Sequence, residues 1–149
     1  MITARGLARL QQQLKDLQEE LVRTFDERQK AAAEGDLREN SAYIFLGERA
    51  NVLKTQIDDI ESELKVVKVT PTPTTTTQIQ FGHQVTVLFK NDNRELTFFL
   101  VGRSDTGIES NWISIESPLG IAVVGKKIGD TVDVNGQPVI IKSISIASL

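Results

Sequence analysis

Two heptad series dominate the first half of the chain and restrict it to a pair of coiled-coil helices. The first series is Leu7, Leu10, Leu14, Leu17, Leu21 and Thr24. The second is Leu46, Ala50, Leu53, Ile57, Ile60, Leu64 and Val67. Alternating spacings of three and four place these residues on one seam of each helix. Residues 35–43 form the predicted tip that joins the two helices, and so short a connection requires them to run antiparallel.

Two carboxylates, Asp36 and Glu39, lie three residues apart at the predicted tip of this hairpin. One interpretation is a capping box, in which Asp36 caps the second helix and Glu39 reaches back to the cap backbone. The other is a site for a hard cation such as Mg²⁺, which favours carboxylate oxygens. Two carboxylates are too few for a tight site, so another macromolecule would have to complete it. The spacing alone leaves both interpretations open.

Residues 69–77 contain two prolines and a run of threonines, a composition that breaks helices and favours an extended linker. Beyond it the pattern changes to short alternating runs typical of β-strands. Strands are predicted at 79–89, 95–101, 112–115, 129–134 and 138–146, hairpin turns at 91–93 and 135–136, and a short helix at 118–124. The predicted organisation is a hairpin at 1–68, a linker at 69–77 and a small α+β domain at 78–149.

Composition and charge exclude several classes of protein. The chain has no cysteine, which excludes disulfides, thiolate metal sites and cysteine nucleophiles and fits a cytoplasmic location. No apolar run approaches the roughly 20 residues that span a membrane, so we expect no membrane association. Residues 1–67 carry 10 Lys/Arg and 13 Asp/Glu, and residues 68–149 carry 7 of each. Neither half has the strongly basic balance of a protein that holds duplex DNA by itself.

Two separate motifs resemble those of one family. Residues 35–40, Gly-Asp-Leu-Arg-Glu-Asn, followed by Tyr43, resemble the hairpin-tip motif of the bacterial Gre transcript cleavage factors. Residues 113–114, 117–122 and 125–130 resemble the signature of the C-terminal domain of the same family. The sequence Gly-Asp-Leu-Arg is more similar to the A type than to the B type of these factors.

The resemblance implies both a fold and a function. The fold would be an N-terminal antiparallel coiled-coil hairpin followed by a small FKBP-like α+β domain. The hairpin would enter the secondary channel of RNA polymerase and stimulate the polymerase's own cleavage of backtracked RNA, without being an independent nuclease. Asp36 and Glu39 would help to hold a second Mg²⁺ shared with the polymerase. The isolated protein, expected to be a monomer, would hold no metal and no tightly bound cofactor.

The resemblance also assigns supporting residues. The tip-supporting or RNA-contacting residues would be Arg38, Asn40, Ser41 and Tyr43. Basic residues that would attract the RNA 3′ end are Arg28, Lys30 and Arg49, although interleaved acids also fit an ordinary solvated helix face. Residues that would dock on the polymerase are Ser117, Pro118, Leu119, Gly120, Lys126 and Lys127.

One departure from the family pattern lies at the tip. Ala42 stands where the family commonly has an acid just before the tip tyrosine, so we expect activity to be retained but reduced. The departure leaves room for a secondary-channel regulator that inhibits the polymerase. A structural coiled-coil module without a catalytic connection is a second alternative. Elsewhere, Trp112 is expected in the core, and His83, the only histidine, is expected to be a surface or strand residue.

Overall fold

The structure is a computed structural model that describes residues 1–35, 40–147 and 149. Within these ranges, no helix combines the length and the apolar character needed to cross a membrane. Asp36, Leu37, Arg38 and Glu39 lie outside the described residues, as does Ser148.

The described residues form two compact units. Ala8–Val66 make up one, here called the hairpin unit, and Met1–Leu7 with Val67–Leu149 make up the other, here called the sheet unit. The first seven residues and the Pro/Thr segment at 69–77 are therefore grouped with the sheet unit. In the sequence-based division they belong to the hairpin and to a linker.

Two long helices carry the heptad series. Helix α1 is Ala4–Ala32 and helix α2 is Ser41–Val66. The seam residues Leu10, Ala50, Leu53 and Ile57 are buried, as the repeat predicts. Polar Thr24 is also buried in the seam, and its hydroxyl donates to the Glu20 carbonyl oxygen at 2.8 Å. Residues late in α1 contact residues early in α2, so the predicted antiparallel hairpin is confirmed.

A five-stranded sheet fills the second half of the chain. The strands are β1 His83–Phe89, β2 Arg94–Val101, β3 Trp112–Ser114, β4 Thr131–Val134 and β5 Gln137–Ile146, in the order β3-β2-β1-β5-β4. All neighbouring strands are antiparallel except β2 and β3. A short helix, α3 (Pro118–Val123), follows β3. The prediction of a small α+β domain with one helix is confirmed.

Local residue chemistry explains where the chain turns. Asn93, Asn135 and Gly136 have positive φ values of 52°, 52° and 82°. Asn and Gly tolerate this left-handed conformation, which tight hairpins require. Both predicted hairpin turns are therefore present, and they set the register of β1 with β2 and of β4 with β5.

The core of the sheet unit follows from alternation along the strands. Successive residues of β1 alternate between buried and half-buried, so Val85, Val87 and Phe89 point to the core. Phe98 and Leu100 from β2 pack into the same cluster. Since alternate residues of a strand face opposite sides, one face of the sheet buries most of the apolar area.

His83 is fully buried at the start of β1, so the expectation of a surface position is wrong and that of a strand position is correct. Its Nδ1 accepts from the Gln80 N–H at 3.0 Å. Its Nε2 lies 2.7 Å from the Thr75 carbonyl oxygen, which can only accept, so Nε2 carries the proton. The ring thereby fastens the Pro/Thr segment onto the sheet unit.

A buried carboxylate holds the N-terminal segment of the sheet unit. Both Asp105 oxygens lie 3.1 Å from the Thr3 N–H, and Oδ1 accepts from the Thr3 hydroxyl at 2.6 Å. The Gly102 N–H donates to Oδ2 at 2.9 Å, and Asp105 is completely buried. Thr3 also caps α1, because its Oγ1 accepts from the Gly6 N–H at 3.0 Å. We call Thr3, Gly102 and Asp105 the N-terminal clasp.

Candidate functional site: the hairpin tip and the surface around helix α3

The two predicted carboxylates, Asp36 and Glu39, lie outside the described residues, and so does Arg38. The structure instead defines both sides of the tip. On the α1 side, Gly35 has a φ of 148°, a value that residues with a side chain rarely adopt. On the α2 side, the chain enters the helix at Ser41, directly after Asn40.

Asn40 joins the ends of the two helices. Its Oδ1 accepts from the Tyr43 N–H at 3.1 Å, the position that an N-cap side chain satisfies. Its Nδ2 donates to the Ala31 carbonyl oxygen at 2.7 Å, one of the terminal acceptors that α1 leaves unpaired. The cap of α2 is therefore Asn40. The capping-box interpretation, which gave that position to Asp36, is wrong for this helix.

We expect Asn40→Ala to lower the free energy of unfolding of the hairpin by about 2 kcal/mol, since it removes both a helix cap and a second hydrogen bond. Asn40→Asp should cost less, because it keeps the acceptor for Tyr43 and loses only the donor to Ala31. Urea denaturation followed by far-ultraviolet circular dichroism measures both losses. Asn51→Ala, an exposed change on α2, is the matched control. Equal stability of Asn40→Ala and this control would contradict the capping role.

Arg28 and Tyr43 stack across the hairpin close to the tip. The Arg28 Cζ lies 3.9 Å from the centroid of the Tyr43 ring, and Nε donates to the Tyr43 carbonyl oxygen at 3.2 Å. The guanidinium also lies against Gly47, where an added Cβ would be 2.6 Å from Nη2. Beside this contact is a cleft of about 400 Å³, lined by Phe25, Arg28, Gln29, Ala32 and Tyr43. Tyr43 is thus packed on α1, whereas Ser41 and Ala42 are exposed.

The three basic residues predicted to attract RNA have different surroundings. Arg49 pairs with Glu20 at 2.6 Å between Nη2 and Oε1, and both side chains are somewhat over one-third exposed. Arg28 is engaged with Tyr43, as described above. Lys30 is exposed in the last turn of α1, where a positive charge also favours the helix dipole. Two of the three therefore contribute to contacts between the helices.

The residues predicted to dock on a partner divide into a buried or half-buried group and an exposed group. Ser117 caps α3, since its Oγ accepts from the Gly120 N–H at 3.0 Å, and Leu119 packs against the core. Gly120 is buried, and a Cβ there would collide with the Ser114 carbonyl oxygen. Pro118, Lys126 and Lys127 are exposed. Ser117, Leu119 and Gly120 thus shape the segment, and Pro118, Lys126 and Lys127 are the exposed side chains of the set.

Sequence reasoning missed an apolar surface on and after α3. Ile121, Val124 and Ile128 are 68%, 38% and 57% exposed. Together with Pro118, Lys126 and Lys127 they form what we call the α3 surface. The signal in the sequence was a series of large apolar residues at 121, 124 and 128, in and just after a helix of six residues. Several large apolar side chains exposed close together in the sequence, with charged residues among them, are a candidate interaction site.

Metal-binding groups are sparse in the part of the chain that the structure describes. Residues 1–35, 40–147 and 149 contain no group of three His, Cys, Asp or Glu residues placed to hold an ion.

Comparisons with known proteins agree along nearly the whole chain. A family model for the N-terminal domain of transcription elongation factors matches residues 1–69. A model for the GreA/GreB C-terminal domain of transcription elongation factors matches residues 74–147. Transcription elongation factor GreA of Rhodospirillum rubrum is 32% identical over 140 residues, covering 89% of this chain and 86% of the relative. GreA of Acholeplasma laidlawii is 33% identical over 134 residues, covering 89% and 85%.

Solved structures show a more distant likeness. The crystal structure of GreA factor homolog 1 of Thermus thermophilus covers 97% of each chain at 21% identity, with a TM-score of 0.44. The GreA/GreB factor from Nitrosomonas europaea covers 66% of this chain and 90% of its own at 26% identity, with a TM-score of 0.41.

Proposed function

The chain belongs to the GreA/GreB family of transcription elongation factors, and we propose that it rescues backtracked RNA polymerase by stimulating cleavage of the transcript. In this proposal the hairpin enters the secondary channel and brings its tip to the RNA 3′ end. The polymerase performs the cleavage, and the factor is not an independent nuclease. Its place of action is the cytoplasm, where the polymerase works, and it acts as a monomer.

The observation that carries this proposal is the acidic tip in its family context. Asp36 and Glu39 are present at a spacing of three, between two helices whose family model matches residues 1–69. The cap of α2 is supplied by Asn40, so the helix does not need Asp36 for that purpose. Two acids that are not needed for capping fit a role toward a partner.

The tip carboxylates are suited to sharing Mg²⁺ with the polymerase. Carboxylate oxygens are the ligands this hard cation prefers, and it usually keeps several waters and takes few protein carboxylates. Asp36 and Glu39 would supply two ligands, and the polymerase and RNA would supply the others. When bound, the ion would stabilise charge that develops at the cleaved phosphodiester. The contribution of this chain is to hold two carboxylates at the end of a hairpin.

The α3 surface is suited to docking on the polymerase. Its exposed apolar residues would lose contact with water on binding, and Lys126 and Lys127 beside them favour an acidic partner surface. Half-buried Ser117 and buried Gly120 support this surface by shaping α3. Docking here would supply affinity that two short tip side chains alone do not.

A second candidate function is inhibition of the polymerase from the same channel. The observation that favours it is Ala42, which is exposed in the first turn of α2 and gives the tip one negative charge fewer than the family commonly has. A weaker field at the tip would reduce attraction of the cation while leaving the hairpin able to enter the channel. The two carboxylates that remain favour cleavage.

Halted, backtracked elongation complexes distinguish these functions. With Mg²⁺ present, addition of the protein should shorten RNA from its 3′ end well beyond the rate of the polymerase alone, and elongation should resume. An absence of shortened RNA, together with slower elongation, would support the inhibitor. If the protein neither bound the polymerase nor changed either rate, both proposals would be wrong.

A further inference from the structure

The contacts beside the tip point to Arg28 as a positioning residue, and we propose that it fixes the acidic tip for cleavage through Tyr43 and the space left by Gly47. The inference rests on the proposed function. It concerns Arg28, Ala31, Asn40, Tyr43 and Gly47, which we call the tip latch. Arg28 itself need not touch RNA or Mg²⁺ for this role.

Arg28 stands where the heptad rhythm calls for an apolar residue. Leu21, Thr24 and Arg28 continue the three-four spacing of the α1 seam. An arginine at a seam position removes an apolar contact between the helices, so its presence needs compensating interactions. They are supplied by α2, which offers an aromatic ring at Tyr43 and a gap at Gly47.

Gly47 is what allows the guanidinium to lie against α2. A Cβ at this position would be 2.6 Å from Nη2 and 2.8 Å from Cζ of Arg28, closer than such atoms approach. Glycine also weakens a helix interior relative to alanine, and Gly47 is buried within α2. Glycine therefore lowers the stability of α2 at the turn where the helix contacts the Arg28 side chain.

Tyr43 is held from three directions. The Arg28 guanidinium stacks on its ring at 3.9 Å and donates to its carbonyl oxygen, and Asn40 accepts from its N–H. Asn40 is itself fixed to the Ala31 carbonyl oxygen of α1. These contacts define where the chain re-enters α2 immediately after Glu39. A ligand pair placed next to a fixed segment is better oriented, and small misplacements of reacting groups reduce rates strongly.

A different role for Arg28 would be electrostatic attraction of RNA, and the two roles predict different variants. Gly47→Ala keeps the Arg28 side chain and its charge but excludes the guanidinium from its position. Arg28→Lys also keeps the charge, yet an ammonium lacks the planar fork that stacks on the ring and reaches the carbonyl oxygen. If charge alone matters, both variants should cleave as wild type does.

The test measures stability, latch geometry and cleavage for the same proteins. For Gly47→Ala we expect a urea midpoint at or above that of wild type, because alanine favours helix. The nuclear magnetic resonance signals of Tyr43, the only tyrosine, should lose the influence of the guanidinium. At saturating factor the cleavage rate should fall by about tenfold, while the half-saturating concentration stays the same, since misplacement affects the reaction more than docking.

Arg28→Lys should show the same loss of cleavage rate. Because it leaves α2 unchanged, it still tests the proposal if Gly47→Ala perturbs that helix. The double variant Arg28→Leu/Gly47→Ala restores an apolar seam, so it should be at least as stable as wild type and still cleave slowly. Arg23→Ala, an exposed charge removal on α1, is the control and should retain the wild-type rate.

If Gly47→Ala and Arg28→Lys altered the Tyr43 signals but cleaved at the wild-type rate, the positioning role would be wrong. Electrostatic attraction of RNA by the Arg28 charge would then be the remaining role. Unchanged Tyr43 signals in Gly47→Ala would overturn the latch geometry itself. Failure of the proposed function would be seen separately. In that case the wild-type protein itself would stimulate no cleavage, so no ratio of variant to wild-type rate could be measured.

Discussion

Asp105→Ala is expected to lower the free energy of unfolding of the sheet unit by about 3–5 kcal/mol, since it leaves several buried donors without an acceptor. The carboxylate is completely buried and accepts from the Thr3 N–H, the Thr3 hydroxyl and the Gly102 N–H. It also lies beside the first turn of α1, where a negative charge is favoured by the helix dipole. Truncation removes all of these interactions together.

Urea denaturation followed by the fluorescence of Trp112, the only tryptophan, measures this loss within the sheet unit. Asp133→Ala, which removes an exposed aspartate from β4, is the control and should change stability little. Gly6→Ala should mimic Asp105→Ala, because a Cβ on Gly6 would overlap the Asp105 carboxylate. The two losses should be far from additive, since both break the N-terminal clasp. If Asp105→Ala lowered the free energy of unfolding no more than Asp133→Ala does, the N-terminal clasp would contribute little to stability.

The second large effect is expected at the tip. Asp36→Asn and Glu39→Gln should each reduce factor-stimulated cleavage by about 100-fold at limiting Mg²⁺, because each replaces a charged ligand by a neutral one of the same shape. Raising the Mg²⁺ concentration should recover part of the rate, which a loss of folding would not allow. Single-turnover cleavage in halted, backtracked complexes over a range of Mg²⁺ concentrations measures both effects.

The described structure supplies the controls for this experiment. Since Asn40 caps α2, neither substitution should change the helical content measured by circular dichroism. Glu34→Gln removes an exposed acid from the adjacent turn and should retain the wild-type rate. Both tip variants should still compete with wild type for the polymerase. Normal cleavage by Asp36→Asn and Glu39→Gln would contradict the shared-cation mechanism.

Strong, local patterns made much of the fold predictable. The heptad spacing gave two helices because only that period places the buried Leu10, Leu53 and Ile57 on continuous seams. Turn positions at Asn93 and Asn135 were predictable because few residue types adopt positive φ at low cost. Ser117 and Pro118 marked the start of α3 for similar local reasons.

The candidate site was predictable only in part. Motif residues identified Asp36 and Glu39, which lie outside the described residues, but spacing alone left open whether Asp36 caps the second helix or binds a cation. The cap proved to be Asn40 because a helix start depends on which competing side chain also finds a partner, here the Ala31 carbonyl oxygen. The exposed Ile121 and Ile128 were missed because exposure depends on neighbours from distant parts of the chain.

By itself, the sequence determined the period of each element, the turns between them and the family motifs, since these depend on residues close together in the chain. Only the tertiary structure decided the contacts between distant residues. Asp105 meets Thr3 across 102 positions, and Arg28 finds Tyr43 and Gly47 on the other helix. From the sequence alone, burying a carboxylate or placing an arginine in a coiled-coil seam would be expected to destabilise the fold. Each is stabilised only because folding brings hydrogen-bond donors, or an aromatic ring and an empty space, to the right place.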